Sequence, residues 1–97
     1  MRVIARKPLL EFSSEHPDAQ AGLETWYQEV KAATWKSSAD IKIQYRSASI
    51  INNRRVVFNI CGNKFRLVVD INYPAKLVFI RFVGTHKEYD RIDVESI

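Results

Sequence analysis

The order of patterns along this chain predicts an α+β fold: a short strand, two helices, then a mainly antiparallel sheet followed by a short terminal helix. Three observations carry that reading. Between Arg54 and Asp90 three apolar runs are separated only by short turn signals. Upstream, Leu23, Trp26, Tyr27 and Val30 fall at i, i+3, i+4 and i+7, the one-faced stripe of an amphipathic helix. The connections inside the 54–90 stretch are too short for a crossover, so the strands there run antiparallel and not as βαβ units.

Near the N-terminus, Val3 and Ile4 make a short extended pattern that adds an edge or central strand. Pro8 suits the first turn of a helix, because its missing N–H is unpaired there anyway, and Leu9, Leu10 and Phe12 supply the buried stripe up to about His16. An imidazolium at that helix end suits the dipole, so His16 reads as structural. Asp18 is expected to cap a second helix that runs to about Ala33. Residues 35–44 are less regular: Ser37, Ser38 and Asp40 are turn and cap formers, while Ile41 and Ile43 alternate with Lys42 and Gln44. A strand or loop over 45–51 then leads to the Asn52-Asn53 turn.

In the sheet, Val56, Phe58 and Ile60 alternate with Val57, Asn59 and Cys61, and Gly62-Asn63 is a hairpin-closing dipeptide. A second strand covers 65–73, a turn forms around Pro74-Ala75, and a third strand covers 77–83. Phe65, Leu67, Val69 and Ile71 share one face, which leaves Arg66 on the other with Val68 and Asp70. Strict alternation places Arg81 with Leu77, Phe79 and Val83, opposite Val78, Ile80 and Phe82. A guanidinium in an apolar strand must reach water, a carboxylate such as Asp70, or a ligand phosphate. Thr85-His86-Lys87-Glu88 then has capping-box form, predicting a helix from His86 to about Ile92. His86 and Lys87 fall in its first turn, beside backbone N–H groups that favour an anion.

Ninety-seven residues with 46% hydrophobic content suit one compact domain spanning 1–97. There is no run of about 18 apolar residues and no signal-peptide pattern, so a cytoplasmic protein without a membrane partner is expected. Cys61 is the single cysteine, which excludes an internal disulfide and disfavours a structural zinc site; its position predicts a small buried side chain. Charge is unevenly placed. Residues 42–91 hold ten Lys and Arg against three acidic residues, a local balance of +7, whereas the whole chain carries +4. Such asymmetry fits a phosphate-bearing partner, RNA or DNA, with solubility as the competing explanation.

Two blocks are distinctive: NRRVVFNICGNKFRLVVDINY over 53–73 and IRFVGTHKEYDRID over 80–93, with WKSSADIK from Trp35 in support. Together they resemble the HigB toxins of type II toxin-antitoxin systems, a branch of the RelE-like superfamily, over most of the chain. The resemblance implies a RelE-like fold of two N-terminal helices packed on the sheet. It also implies a small endoribonuclease that cleaves translated mRNA, usually in the ribosomal A site, and is silenced by a cognate HigA-type antitoxin. Such enzymes use no metal or other cofactor, because the substrate's 2′-hydroxyl attacks the adjacent phosphorus. The protein supplies acid–base groups and positive charge.

Residue by residue, the arginine of GNKFRLVV occupies the superfamily's phosphate-binding position, here Arg66, and Lys64 is expected on the same face. GTHKEYD offers His86 as first choice for proton transfer, Lys87 for phosphate, and Tyr89 for stacking or proton donation. Arg81 is a candidate for backbone contact, and Lys42, Arg54 and Arg55 for rRNA or phosphate contacts without chemistry. Asp70 and Glu88 read as an ion-pair partner and a capping carboxylate. The rival reading is a non-catalytic RNA-binding module or an inactive toxin relative, which needs neither His86 nor Tyr89.

Overall fold

The structure, a computed structural model, describes residues 1–97. In chain order the elements are β1 (Arg2–Ile4), α1 (Lys7–Glu15), a 3-10 turn (Pro17–Ala19), α2 (Gln20–Ala32), α3 (Ser38–Gln44), β2 (Ser49–Ile50), β3 (Arg55–Ile60), β4 (Phe65–Asn72), β5 (Leu77–Thr85) and α4 (His86–Tyr89). One five-stranded sheet has the order β1-β5-β4-β3-β2. The β3–β4–β5 meander is antiparallel, as its short turns require, and β1 joins the edge parallel to β5. No helix is long and apolar enough to cross a membrane.

The two faces of the sheet meet different neighbours. Val56, Phe58, Ile60, Phe65, Leu67, Val69, Ile71, Val78 and Ile80 join Leu9, Phe12, Leu23, Trp26 and Val30 of the helices in one buried cluster. Phe58 is its aromatic centre. Trp26 meets it edge-on at 5.5 Å between centroids, Tyr45 at 5.0 Å, and Trp35 stacks on it at 6.1 Å. On the opposite, outer face there is no helix of this layer, yet Val57 and Val68 are buried. The segment that follows α4 is hydrogen-bonded to this face through Arg55 and Arg81.

Several expectations change. Residues 38–44 form a helix, not an irregular stretch: the Asp40 carboxylate accepts the Lys36 N–H at 2.8 Å, and Ile41 is buried while Ile43 points to solvent. Asp18 does not cap α2, because it lies one residue before the N-cap position, in the 3-10 segment, and no side chain caps that helix. Cys61 is exposed, not buried. β3 ends at Ile60, and Cys61 and Gly62 take left-handed backbone (φ 55° and 68°) to reverse the chain. In β5 the pairing slips, so Val68 faces Phe82 while Val69 faces Ile80, leaving Arg81 as the extra residue of a bulge. That residue inverts the alternation: Val83 packs on the helix side and Phe82 joins the outer face. The terminal helix is a single turn, shorter than the predicted span to Ile92.

The outer face is tied together by Arg55, expected as an RNA contact and instead only 4% exposed. Its guanidinium grips Asp70 of β4 through Nε to Oδ1 at 2.7 Å and Nη2 to Oδ2 at 2.8 Å. Its remaining Nη1 donates to the Val94 and Glu95 carbonyls at 3.0 and 3.2 Å, pinning the tail to the sheet. Arg81 adds a longer contact to Asp70, 3.6 Å, and donates to the Ile97 carbonyl at 3.1 Å. The hydrogen bonds from Arg55 hold the Asp70 carboxyl below its ordinary range. Because the folded value is depressed, this contribution is present above the unfolded value of about 3.9 and is lost as pH falls through the folded one. Asp70→Asn is therefore expected to cost about 3 kcal/mol at neutral pH. Urea unfolding from pH 7 to 2 should also give the variant a flatter acid limb; equal slopes would argue against the pair.

Candidate active site

Two local devices converge at the end of β4 nearest its hairpin. The left-handed Cys61-Gly62 turn returns the chain so that the Lys64 carbonyl accepts the His86 N–H at 3.0 Å, docking the start of α4 against the hairpin. Thr85 and Glu88 form the full capping box: Thr85 Oγ1 accepts from the Glu88 N–H at 3.2 Å, and Glu88 Oε1 accepts from the Thr85 N–H at 2.8 Å. The bond from the Thr85 N–H holds the Glu88 carboxyl below its ordinary range. These contacts also correct the expectation of free anion-binding N–H groups here, since those of His86 and Glu88 already have partners.

Arg66 projects from the outer face, directly across from Gly84. Its Nη1 donates to the Asn63 and Phe65 carbonyls at 3.0 and 3.3 Å, and its guanidinium carbon lies 5.9 Å from the Tyr89 ring centre. Phe82 packs beside Tyr89 with 6.5 Å between centroids. Gly84 makes room for this: a methyl group there would stand 2.6 Å from Phe82 Cζ and 3.2 Å from Glu88 Oε1. On α4, His86 Nδ1 lies 3.0 Å from Asp90 Oδ2, one turn on. When the neutral imidazole donates from Nδ1, Nε2 is left with a lone pair facing solvent. His86 and Tyr89, three residues apart, fall on neighbouring positions of the turn.

The other expected residues are distributed differently. Lys64 precedes β4 and does not share the Arg66 face; its ammonium is held by Asp18 at 2.9 Å. That bond lowers the Asp18 carboxyl and raises the Lys64 amine. Lys87 is exposed on α4. Lys42 donates to the Arg46 and Ala48 carbonyls at 2.6 and 2.8 Å, closing the loop after α3. Arg54 is exposed at the far end of the outer face, with Arg81 nearby. Arg66 and Tyr89 thus come together, His86 stands on the same helical turn as Tyr89 with its N–H on the Lys64 carbonyl, and Lys42, Arg54 and Arg81 stand apart.

Matching the chain to known proteins places it. The model of the HigB toxin, described as the RelE-like toxic component of a toxin-antitoxin system, matches residues 19–92. This chain belongs to the HigB toxin family. Its curated relatives include the mRNA interferase HigB of Escherichia coli O6:H1, 22% identical over 95% of this chain and 91% of the relative. The mRNA interferase toxin HigB of Escherichia coli K12 is 27% identical over 93% of this chain and 88% of its own length. The α+β architecture, helices first and a short helix after the sheet, agrees with a RelE-like fold.

Four residues with parts in this HigB-family site escaped the reading of its sequence. Phe82 was assigned to the wrong face by the bulge. Gly84 falls just past the strand expected over 77–83, and Asp18 reads as a helix cap. Asp90 was legible in principle, since His86 and Asp90 stand at i, i+4 on a segment already expected to be helical. Gly84→Ala is expected to cost about 1–3 kcal/mol by overpacking and to shift the Tyr89 ring resonances in NMR spectra. Unchanged melting with unmoved Tyr89 resonances would remove the packing argument.

Proposed function

We propose that this single toxin domain is an mRNA interferase, a metal-independent endoribonuclease that cleaves translated mRNA in the cytoplasm and so arrests translation. The observation that carries the reading is the meeting of an outward guanidinium, Arg66, with an aromatic hydroxyl, Tyr89, and a carboxylate-oriented imidazole, His86. Family membership supports it, and so do the names of the relatives.

In this reading the substrate is both nucleophile and target. His86 Nε2 takes the proton of a ribose 2′-hydroxyl while Asp90 keeps Nδ1 protonated and the ring in place. The 2′-oxygen bonds to the adjacent phosphorus, the bond to the 5′-oxygen breaks, and Tyr89 gives that oxygen a proton. The products are a 2′,3′-cyclic phosphate and a 5′-hydroxyl. Arg66 faces the non-bridging oxygens, where negative charge grows in the transition state, and Lys87 adds charge from the same turn. Lys64 joins once a phosphate draws it from Asp18. Arg54, Arg81 and Lys42 act as backbone contacts on the mRNA or the ribosome; Arg55 has no such role, being enclosed by Asp70 and the tail. A HigA-type antitoxin silences the enzyme.

Inducible expression in a bacterium lacking the antitoxin tests this. Wild type should arrest growth and create new in-frame mRNA 5′ ends, and co-expressed antitoxin should restore growth. His86→Ala and Arg66→Ala, both at exposed or half-exposed positions, should fold normally and lose about 10²–10⁴-fold in cleavage rate. Growth and mRNA left intact by wild type would sink the nuclease and leave an RNA-binding module or an inactive relative.

A further inference from the structure

The outer face carries a second concavity, at the end of β4 away from Arg66. It has a volume of about 470 Å³ and is lined by Asn53, Arg54, Asp70, Asn72, Phe79 and Arg81, among others. Its charge is positive after pairing. Both Asp70 oxygens are engaged by Arg55, so the carboxylate has little left for the other two guanidiniums. Arg54 is rooted by its carbonyl, which accepts the Ile71 N–H at 2.8 Å, and its guanidinium has no hydrogen-bond partner. Arg81 keeps 45% of its side chain exposed and touches only Asp70, at 3.6 Å, and the Ile97 carbonyl.

Beside these cations Phe79 stands opposite Asp70 with 37% of its surface in water, although it sits inside a strand flanked on both sides by β1 and β4. An aromatic ring left open next to guanidiniums is the pairing by which single-stranded RNA is held: the ring takes a base face and the cations take phosphates. The spacing also fits. From Arg66 to Asp70 is four residues of strand, roughly 13 Å, which about four stacked nucleotides span at about 3.4 Å of rise each.

We propose that this concavity is a second nucleotide subsite, in which Phe79 stacks on a base of the RNA strand and Arg54 and Arg81 hold the neighbouring phosphates. It rests on the reading of RNA as the substrate, and adds where the strand runs: along β4, from the reacting linkage at Arg66 to an anchored nucleotide at Phe79. An incoming phosphate exchanges with the Ile97 carbonyl on Arg81. An acidic protein segment would use the guanidiniums but gain nothing particular from an exposed ring.

The test is binding, kept separate from cleavage. The probe is a fluorescein-labelled decauridylate, 2′-O-methylated throughout so that it cannot be cut, followed by anisotropy across a salt series. Phe79→Ala and Phe79→Leu should each raise Kd on the order of tenfold, the leucine variant showing that stacking matters and not bulk. Arg54→Ala should raise Kd similarly and lower the salt slope by about 0.7. The losses should shrink with a labelled diuridylate, too short to reach from one end to the other. Kd values within twofold of wild type for Phe79→Leu and Arg54→Ala, with the melting temperature unchanged, would overturn the subsite, as would a wild type that binds no decamer. Binding that depends on Phe79 and Arg54 in a protein that cuts no mRNA would keep the subsite and remove the nuclease. Cleavage that needs His86, with binding indifferent to Phe79 and Arg54, would do the reverse.

Discussion

The outer face depends on one ion pair. Arg55 is buried, and a buried guanidinium is tolerated only when its charge and its donors are met. Asp70 meets the charge with two oxygens, and the Val94 and Glu95 carbonyls take a third donor group. The pair crosses from β3 to β4, and the carbonyls bring the tail down onto the same spot. Removing either partner would strand a charge and loosen the tail's hold on the sheet. Because the tail leaves α4 directly, the position of His86 and Tyr89 is coupled to this anchor through a few residues of chain.

A second constraint is one of phase. Strict alternation in β5 would turn Phe82 toward the helices and leave Tyr89 without a neighbour. The extra residue at Arg81 shifts the count by one, so Val83 fills the helix side and Phe82 crosses to the outer face. Gly84 then has to be bare, since the Phe82 ring lies where a side chain would start. Bulge, glycine and ring form a single device. It delivers an aromatic support to the same place that the capping box delivers Tyr89, within cation–π reach of Arg66.

What the sequence made legible was whatever local chemistry decides. The meander followed from alternation and short turns, the capping box from Thr85 and Glu88, and the face of Arg66 from its apolar neighbours. The family blocks then named the residues around it. What it concealed depended on long-range partners. Ile41 and Ile43 looked like strand alternation, and only the reach of Asp40 back to Lys36 turned the segment into a helix; Ser37 and Asp40, three apart, were the available signal. Asp18 had the right chemistry for a cap but met Lys64 across 46 residues of chain. Arg55 and Arg54 were indistinguishable as adjacent arginines, until register set one against Asp70 and left the other outside.

That last contrast bears on how basic charge should be read. The +7 of residues 42–91 counts every cation equally, yet several of them have work inside the fold. Arg55 is locked to Asp70, Lys42 closes a loop, and Lys64 is held by Asp18. Net charge governs long-range attraction to a polyanion, where such pairing matters little beyond a Debye length. Holding a phosphate is a short-range event, and needs a cation whose donors are free. On the outer face the cations with donors to spare are half-engaged Arg66 at one end of β4, and Arg54 with half-engaged Arg81 at the other. Each group stands beside an aromatic ring, Tyr89 in the first case and Phe79 in the second. The sheet therefore offers a polyanion two footholds on one face, the second of them built beside a buried pair that offers it none.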